Sequence, residues 1–272
     1  MFRIEVLGSG SKGNCTFLQL GSTRLLIDAG LSRKQTKQRL ELLGENPDRI
    51  DAVLLTHVHG DHVRGVPVLV RRHRIPVACH PWLQPVLGFK EDDDPEFIDL
   101  LPGRALTIGD VVVHPFRVPH DAEPTMGFRL EAPGFTCGYA TDLGHVNDLV
   151  VERLSGLDAL VIESNHDLDM LRDGDYPWSL KQRVGGRHGH LSNDSCAMLV
   201  EAVLWDGLRS IALAHLSEQN NDPALARAAT AAVLRRRRRE DIRLTVAGQD
   251  QIETAHPASQ TSAPASTEEI LR

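Results

Sequence analysis

Three histidines and one aspartate fall within six residues, His57-Val58-His59-Gly60-Asp61-His62, directly after an apolar run at 52–56 that reads as a buried strand. Imidazole and carboxylate are ligands for divalent cations of the zinc and manganese kind. A strand end holds such residues firmly, and the loop after it can turn several imidazoles toward one point. His57 and His59 can bind one cation, and Asp61 and His62 a second beside it. Packed without metal, three imidazoles would repel one another when protonated. Two cations about 3.5–4 Å apart can share a water, lower its pKa and direct it at phosphorus or a carbonyl carbon.

A two-cation site needs ligands from elsewhere in the chain. His120 in Val118-Pro119-His120-Asp121, Asp142 in Ala140-Thr141-Asp142 and His215 in Leu213-Ala214-His215 each end a strand-like run, as His57 does. Strand ends on one edge of a sheet converge, which is where sites in α/β folds form. His190 sits in Gly189-His190-Leu191-Ser192 at the mouth of a helix that Ser192 can cap, and is either a proton donor or a structural residue of that cap. Lys12 and Asn14 lie in a Gly/Ser-rich loop that reads either as a phosphate cradle or as a plain turn.

The elements that must position these groups are legible by pattern. Residues 3–7, 16–20 and 23–27 are short β-rich segments, with a hairpin turn at Gly21-Ser22. Residues 31–43 have helical spacing and stop at Gly44; 62–73 suits a helix weakened at its start by Gly65 and Pro67; 76–79 is a short strand. Residues 88–104 are polar and acidic and read as a surface loop, with Asp92, Asp93 and Asp94 solvated. Strands follow at 111–118, 126–130 and 135–140. Then come helix 146–154, strand 158–163, a loop, helix 192–205, strand 210–214, helix 223–238 and strand 242–247. Mostly-β followed by alternating α and β implies two packed sheets with helices outside. One domain over 1–250 and a disordered Ser/Thr/Ala/Pro-rich tail over 251–272 are expected.

Composition excludes several classes. No apolar run in the 272 residues approaches the roughly 20 that a membrane span needs, and no signal-peptide core opens the chain, so the cytoplasm is the expected location. Cys15, Cys79, Cys137 and Cys196 are widely spaced, which argues for reduced buried thiols rather than a cysteine zinc site. A net charge of −7 argues against a broadly basic coat for nonspecific nucleic-acid binding, though not against a nuclease. The run Arg235 to Arg239 points in several directions on a helix and reads as the solvated C-terminal turn, with a nucleic-acid contact as the alternative.

H-x-H-x-D-H followed by a lone His, a lone Asp and a lone His resembles the metallo-β-lactamase superfamily. The resemblance narrows with Gly8-Ser9-Gly10-Ser11-Lys12-Gly13-Asn14, Asp28-Ala29-Gly30, Glu163-Ser164-Asn165-His166-Asp167, Gly189-His190-Leu191-Ser192-Asn193 and His215-Leu216-Ser217-Glu218-Gln219-Asn220-Asn221. Together these resemble the YycJ/WalJ group, small single-domain relatives of the RNase Z and RNase J nucleases, over about residues 1 to 250. The resemblance implies a four-layered αββα sandwich of the α/β (α+β) class. It implies that His57, His59 and His120 hold one metal, Asp61, His62 and His215 a second, and that Asp142 bridges them. It places Glu163 behind His190 as an orienting carboxylate, so that His190, Glu163 and Asp61 are the catalytic candidates. Asp28 would support the metal loop through hydrogen bonds, and Asn165, His166, Asp167 and Ser192 would support the site or touch substrate. No insertion of the β-CASP kind interrupts the chain, and a long RNase Z arm is not evident.

The activity this implies is a two-metal phosphodiesterase on nucleic acid, a 5′-to-3′ DNA exonuclease, using Zn²⁺ or Mn²⁺. The competing readings are a small-molecule hydrolase for a thioester, lactone or cyclic phosphodiester, and a metal-bound binding protein without catalysis. β-Lactam hydrolysis would require export. The oligomeric state is not readable from the sequence.

Overall fold

Strands that are apolar on both faces need cover on both faces, and the chain supplies it with two sheets of seven strands each in a computed structural model describing residues 1–259. The first sheet is built from β1 (Phe2–Gly8), β2 (Cys15–Leu20), β3 (Thr23–Ile27), β4 (Ala52–Leu54), β5 (Val77–Cys79) and β6 (Phe97–Asp99). The second comprises β7 (Leu106–Ile108), β8 (Val111–Arg117), β9 (Met126–Ala132), β10 (Phe135–Ala140), β11 (Ala159–Glu163), β12 (Ser210–Ala214) and β13 (Arg243–Val246). β14 (Glu253–Ser259) then returns to the first sheet and pairs antiparallel with β1. Helices α1 (Arg33–Leu42), α2 (Gly60–Val63) and α3 (Val66–His73) belong to the first half. α4 (Asp148–Arg153), α5 (Leu168–Asp173), α6 (Trp178–Val184), α7 (Asn193–Val203) and α8 (Pro223–Arg236) belong to the second.

Three apolar clusters separate four layers, as the expected αββα sandwich requires. Alternate residues of each strand enter different clusters. Leu18, Leu25 and Ile27 face Val113, Phe128 and Val161 between the sheets. Phe17, Leu26 and Val53 pack outward against Leu40, Leu69 and Val70 of α1 and α3. Leu160, Ile162, Ile211 and Leu213 pack outward against Val150, Leu199, Val200 and Leu234 of α4, α7 and α8. Fixed helix starts hold the outer layers in place. Ser32 forms a capping box with Gln35, Ser192 caps α7 through the Ser195 amide, and Asp222 caps α8 with Pro223 at its first turn.

Four expectations are corrected. The loop over 88–104 contains β6, a short strand parallel to β5. The helix over 62–73 is two helices broken at Gly65, where a Cβ would lie 2.0 Å from the Leu31 carbonyl oxygen. The stretch read as loop between β11 and α7 contains α5 and α6, and α6 buries none of its residues, so no apolar stripe marks it. The tail expected from 251 holds β14. Its Pro257 suits an edge strand, and Ala255 and His256 are buried. The rest of that tail, 260–272, lies outside the described residues.

Because β14 covers one edge of β1, deleting residues 251–272 should uncover that edge and the buried Ala255 and His256 positions. A melting temperature lower by about 4–8 °C is expected, corresponding to about 2 kcal/mol in a domain of this size. An unchanged melting curve would mean that β14 contributes nothing to the sheet.

Candidate metal centre

The site is assembled from strand ends. Asp28 follows β3, His57 lies three residues past the end of β4, His120 follows β8, Asp142 follows β10, Glu163 ends β11 and His215 follows β12. Three of these, Asp28 (φ 59°), Asp142 (φ 59°) and His215 (φ 57°), adopt the left-handed conformation that non-glycine residues seldom take. Such strain persists only where the surroundings over-determine it, and it concentrates at functional sites. Asp142 and His215 line one cavity of about 260 Å³ with His59, Asp61 and His190 among others, whereas Asp28 lies buried behind His62.

The chain brings all seven expected ligands together. Donor atoms of His57, His59 and His120 lie within 4.8 Å of one another, as do those of Asp61, His62 and His215, and those of His57, His62 and Asp142. Asp142 spans the groups, with Oδ2 3.3 Å from His62 Nε2 and Oδ1 3.8 Å from His120 Nε2. Asp61 Oδ2 is 3.3 Å from His62 Nε2 and 3.6 Å from His215 Nε2. Four imidazoles are anchored through Nδ1: His57 to Thr56 Oγ1 (2.9 Å), His62 to Asp28 Oδ2 (2.7 Å), His120 to the Gly189 carbonyl (3.0 Å) and His215 to Glu163 Oε1 (2.8 Å). Anchoring one ring nitrogen fixes the ring's orientation and leaves Nε2 for a ligand.

The electrostatics match a cation. Burial opposes the charge on Asp142, but the imidazoles of His215, His62 and His57 outweigh it and hold the carboxyl well below its usual range. Burial pushes His62 down, yet Asp142 and Asp28 raise it to about 10, and Asp142 and Asp61 likewise carry His215 well above the usual range against burial. His57 falls well below its usual value through burial and the charge on His62. Carboxylates here stay ionised and gather positive charge, a demand that a divalent cation meets directly. His57 Nε2 and Asp142 Oδ2 are buried without a hydrogen-bond partner, as metal-directed donors would be. The donor set is nitrogen and oxygen, and all four cysteines are buried and free.

Glu163 and His190 meet at the same cavity. His190 Nδ1 lies 2.9 Å from Glu163 Oε1, and Glu163 Oε2 accepts the amides of Leu143 (3.1 Å) and Leu191 (2.9 Å). Burial opposes the Glu163 charge, but His190 and His215 outweigh it and bring the carboxyl to about 2. His190 is in turn raised, because Glu163 and Asp142 outweigh its burial.

The remaining expected residues divide. Asp28 underpins the metal loop, accepting the Thr56 amide (2.9 Å) and hydroxyl besides its contact with His62. Asn14 is buried, and its side-chain amide reaches Gly10 O (3.1 Å) and Asp61 Oδ2 (3.1 Å), so through this residue the Gly/Ser loop braces the site. Lys12 is exposed and paired with Glu218 at 2.8 Å. Asn165 lines the cavity and holds the His215 carbonyl at 2.8 Å. His166 is buried with Nδ1 unpartnered, and burial lowers it to about 4. Asp167 caps α5 and Ser192 caps α7; neither lines the cavity. In the arginine run, Arg236 and Arg237 are exposed and pair with Glu201, whereas Arg239 is largely covered, pairing with Asp241 and donating to the Leu208 carbonyl.

Sequence reasoning missed three participants. Thr56 links Asp28 to His57. Asp121 Oδ1 lies 3.3 Å from His120 Nε2 and 3.7 Å from His59 Nε2. Arg183 on α6 donates Nε to Asp121 Oδ2 at 2.6 Å. Thr56 and Asp121 carried the one available signal, their places beside His57 and His120; Arg183 carried none.

Gly30 sets the spacing between the first loop and the metal loop. A Cβ there would fall 1.5 Å from the Asp61 carbonyl oxygen, and that oxygen accepts the Asn14 backbone N–H at 2.7 Å. Gly30→Ala should therefore displace the 57–62 loop and destabilise the fold by on the order of 3 kcal/mol, read as a shifted denaturation midpoint. A wild-type midpoint would show the loop to be slack.

Comparison with known proteins accords with this geometry. Residues 23–215 match the model of the β-lactamase superfamily domain. The chain is 37% identical to exodeoxyribonuclease YycJ of Bacillus anthracis over 234 residues, covering 85% of this chain and 88% of that protein. It is 35% identical to exodeoxyribonuclease WalJ of Streptococcus pneumoniae over 231 residues, covering 83% and 85% respectively. The metallo-β-lactamase-fold protein YhfI from Bacillus subtilis superposes with a TM-score of 0.71 at 16% identity, over 93% of this chain and 99% of that one, a likeness of fold. The sandwich, the ligand-bearing strand ends and the identity to YycJ and WalJ over most of both lengths together show that the chain belongs to the β-lactamase superfamily domain family.

Proposed function

We propose that the chain is a two-metal phosphodiesterase that degrades DNA from the 5′ end. The observation that carries this is the convergence of the His/Asp cluster and the Glu163–His190 pair on one cavity, in a chain whose extended relatives are named exodeoxyribonucleases. His57, His59 and His120 would hold one cation, and Asp61, His62 and His215 the other, with Asp142 shared between them. Nitrogen and oxygen ligands without thiolate suit Zn²⁺ or Mn²⁺. Cations bound there would supply Lewis acidity, for activating a water and for offsetting charge on a phosphoryl group.

The chain's own residues supply the rest. Glu163 accepts the Nδ1 proton of His190 and so leaves Nε2 to hold the proton that a departing nucleotide oxygen needs. The same carboxylate oxygen orients His215, so one buried residue aligns a ligand and the proton donor. Asp28 and Asn14 fix His62 and Asp61 from behind. Among the described residues no helix is long and apolar enough to cross a membrane. Four reduced thiols and a nucleic-acid substrate fit a cytoplasmic setting.

Metal analysis of saturated and then desalted protein should give two cations per chain, and Asp142→Ala should lose metal and activity together. His190→Ala should keep both metals but slow cleavage of 5′-labelled DNA by about 10²–10⁴-fold. The same variant should be far less impaired on a diester with a nitrophenolate leaving group, which departs without a proton. Equal loss on both substrates, or loss of metal from His190→Ala, removes the proton-donor role. Turnover of a thioester or lactone by wild type, with no nucleic acid cut under either metal, replaces the nuclease reading with a small-molecule hydrolase.

A further inference from the structure

The two candidate cation positions are braced by different parts of the chain. At the first, His57 leans on the Thr56 hydroxyl and His120 on the Gly189 carbonyl. The loop from Gly8 to Asn14 serves the second. Asn14 Nδ2 lies 3.1 Å from both Asp61 Oδ2 and His62 Nε2, and the Asn14 backbone N–H donates to the Asp61 carbonyl at 2.7 Å. Ser9 Oγ accepts the His215 backbone N–H at 2.7 Å. One loop thus touches Asp61, His62 and His215. Among the described residues it makes no hydrogen bond to His57, His59 or His120.

Such a loop needs outside support. Gly8, Gly10 and Gly13 give it backbone freedom that ordering must overcome. Its internal bonds join Gly13 N–H to the Gly10 carbonyl at 3.2 Å and tie Gly10 to the Asn14 side chain. The remaining support comes from the far end of the chain, where the backbone crosses from β13 of the second sheet to β14 of the first. There Gln249, half-buried, accepts the Lys12 backbone N–H on Oε1 at 2.8 Å and donates Nε2 to the Gly13 carbonyl at 2.8 Å. A carboxamide presents a donor and an acceptor side by side, so one side chain satisfies two peptide groups of the loop. The neighbouring Gly248 carbonyl accepts the Ser9 N–H at 3.1 Å. Gln249 is itself pinned, its carbonyl accepting Arg39 Nη1 at 3.0 Å. A Cβ at Gly10 would fall 2.9 Å from Gln249 Oε1, so the amide is packed against the loop as well as bonded to it.

We infer that Gln249 is a positioning residue for the second cation: it fixes the loop from Gly8 to Asn14, and the loop fixes Asp61, His62 and His215 through Asn14 and Ser9. The first cation, held by His57, His59 and His120, does not depend on it. This rests on the two-metal reading of the site and adds an asymmetry to it, in which a residue outside the cluster tunes one of two adjacent metal positions.

Equilibrium dialysis of the full chain, stripped of metal, against Mn²⁺ alone measures both affinities. Wild type should bind two cations. Gln249→Ala should weaken one of them about tenfold, the lower end of the loss when a partner of a metal ligand is removed, and leave the other unchanged. Gln249→Met keeps the side-chain length and loses both hydrogen bonds; it should do the same, and decides the matter if Gln249→Ala does not fold. Thr254→Val removes a 2.8 Å hydrogen bond to Glu5 from the neighbouring strand β14 and should change neither affinity. In a His59→Ala chain, whose first position is damaged, the remaining cation should still respond to the Gln249 substitution. In a His215→Ala chain it should not. Two wild-type affinities in both Gln249 variants overturn the inference and leave the two-metal reading standing. Equal weakening of both cations, or a response confined to the His215→Ala chain, also overturns it, since Gln249 would then support the whole cluster or the first position. A wild-type chain that binds a single cation overturns the two-metal reading, and this inference with it.

Discussion

A buried carboxylate survives ionised only where positive charge surrounds it, and Asp142, almost wholly excluded from water, is ringed by His57, His62, His190 and His215. The site depends on this arrangement. Its imidazoles come from four separate chain segments, and each must be aimed inward. The mutual attraction of carboxylate and imidazole gives the protein a reason to hold them there, and a cation strengthens the same attraction. Asp28 and Glu163 repeat the device one step further out, each buried and each orienting a histidine through Nδ1.

The sandwich makes such a cluster possible. Strands β8, β10, β11 and β12 run in one direction, as do β3 and β4, so their C-terminal ends open on the same edge. Residues just past those ends leave the hydrogen-bonded ladder while their strands remain clamped between apolar layers. Three of them take a left-handed turn at that point. The rigidity of the layers offsets the local strain, and the outcome is a set of His and Asp side chains, able to hold a metal ion, gathered at one edge of the sandwich.

Around this rigid centre the periphery differs in character. The Gly/Ser loop at 8–14 folds back onto the metal loop through Asn14 and so belongs to the support of the site. Helix α6, by contrast, is tied to the centre through the Arg183–Asp121 pair and the Val184 carbonyl, which accepts the His190 amide, and leaves its own residues unburied.

The sequence by itself determined which residues could bind metal. His57 to His62 are contiguous, and His120, Asp142 and His215 each follow an apolar run, so type and place were both readable. It also determined the layered architecture, because strands buried on both faces and helices with capping residues write themselves as apolar runs and Ser or Asp starts. Elements held by context alone were invisible. β14 has little apolar character and exists because β1 offers it an edge; β6 is three residues long; α6 has no buried face for periodicity to reveal. Only the tertiary structure decided that Asn14 braces Asp61, that Asp167 caps a helix, and that Thr56, Asp121 and Arg183 take part. Those roles depend on distances between residues remote in the chain. A local pattern of residue types records which chemistry is possible, whereas the partner of each group is fixed only when the strands pack.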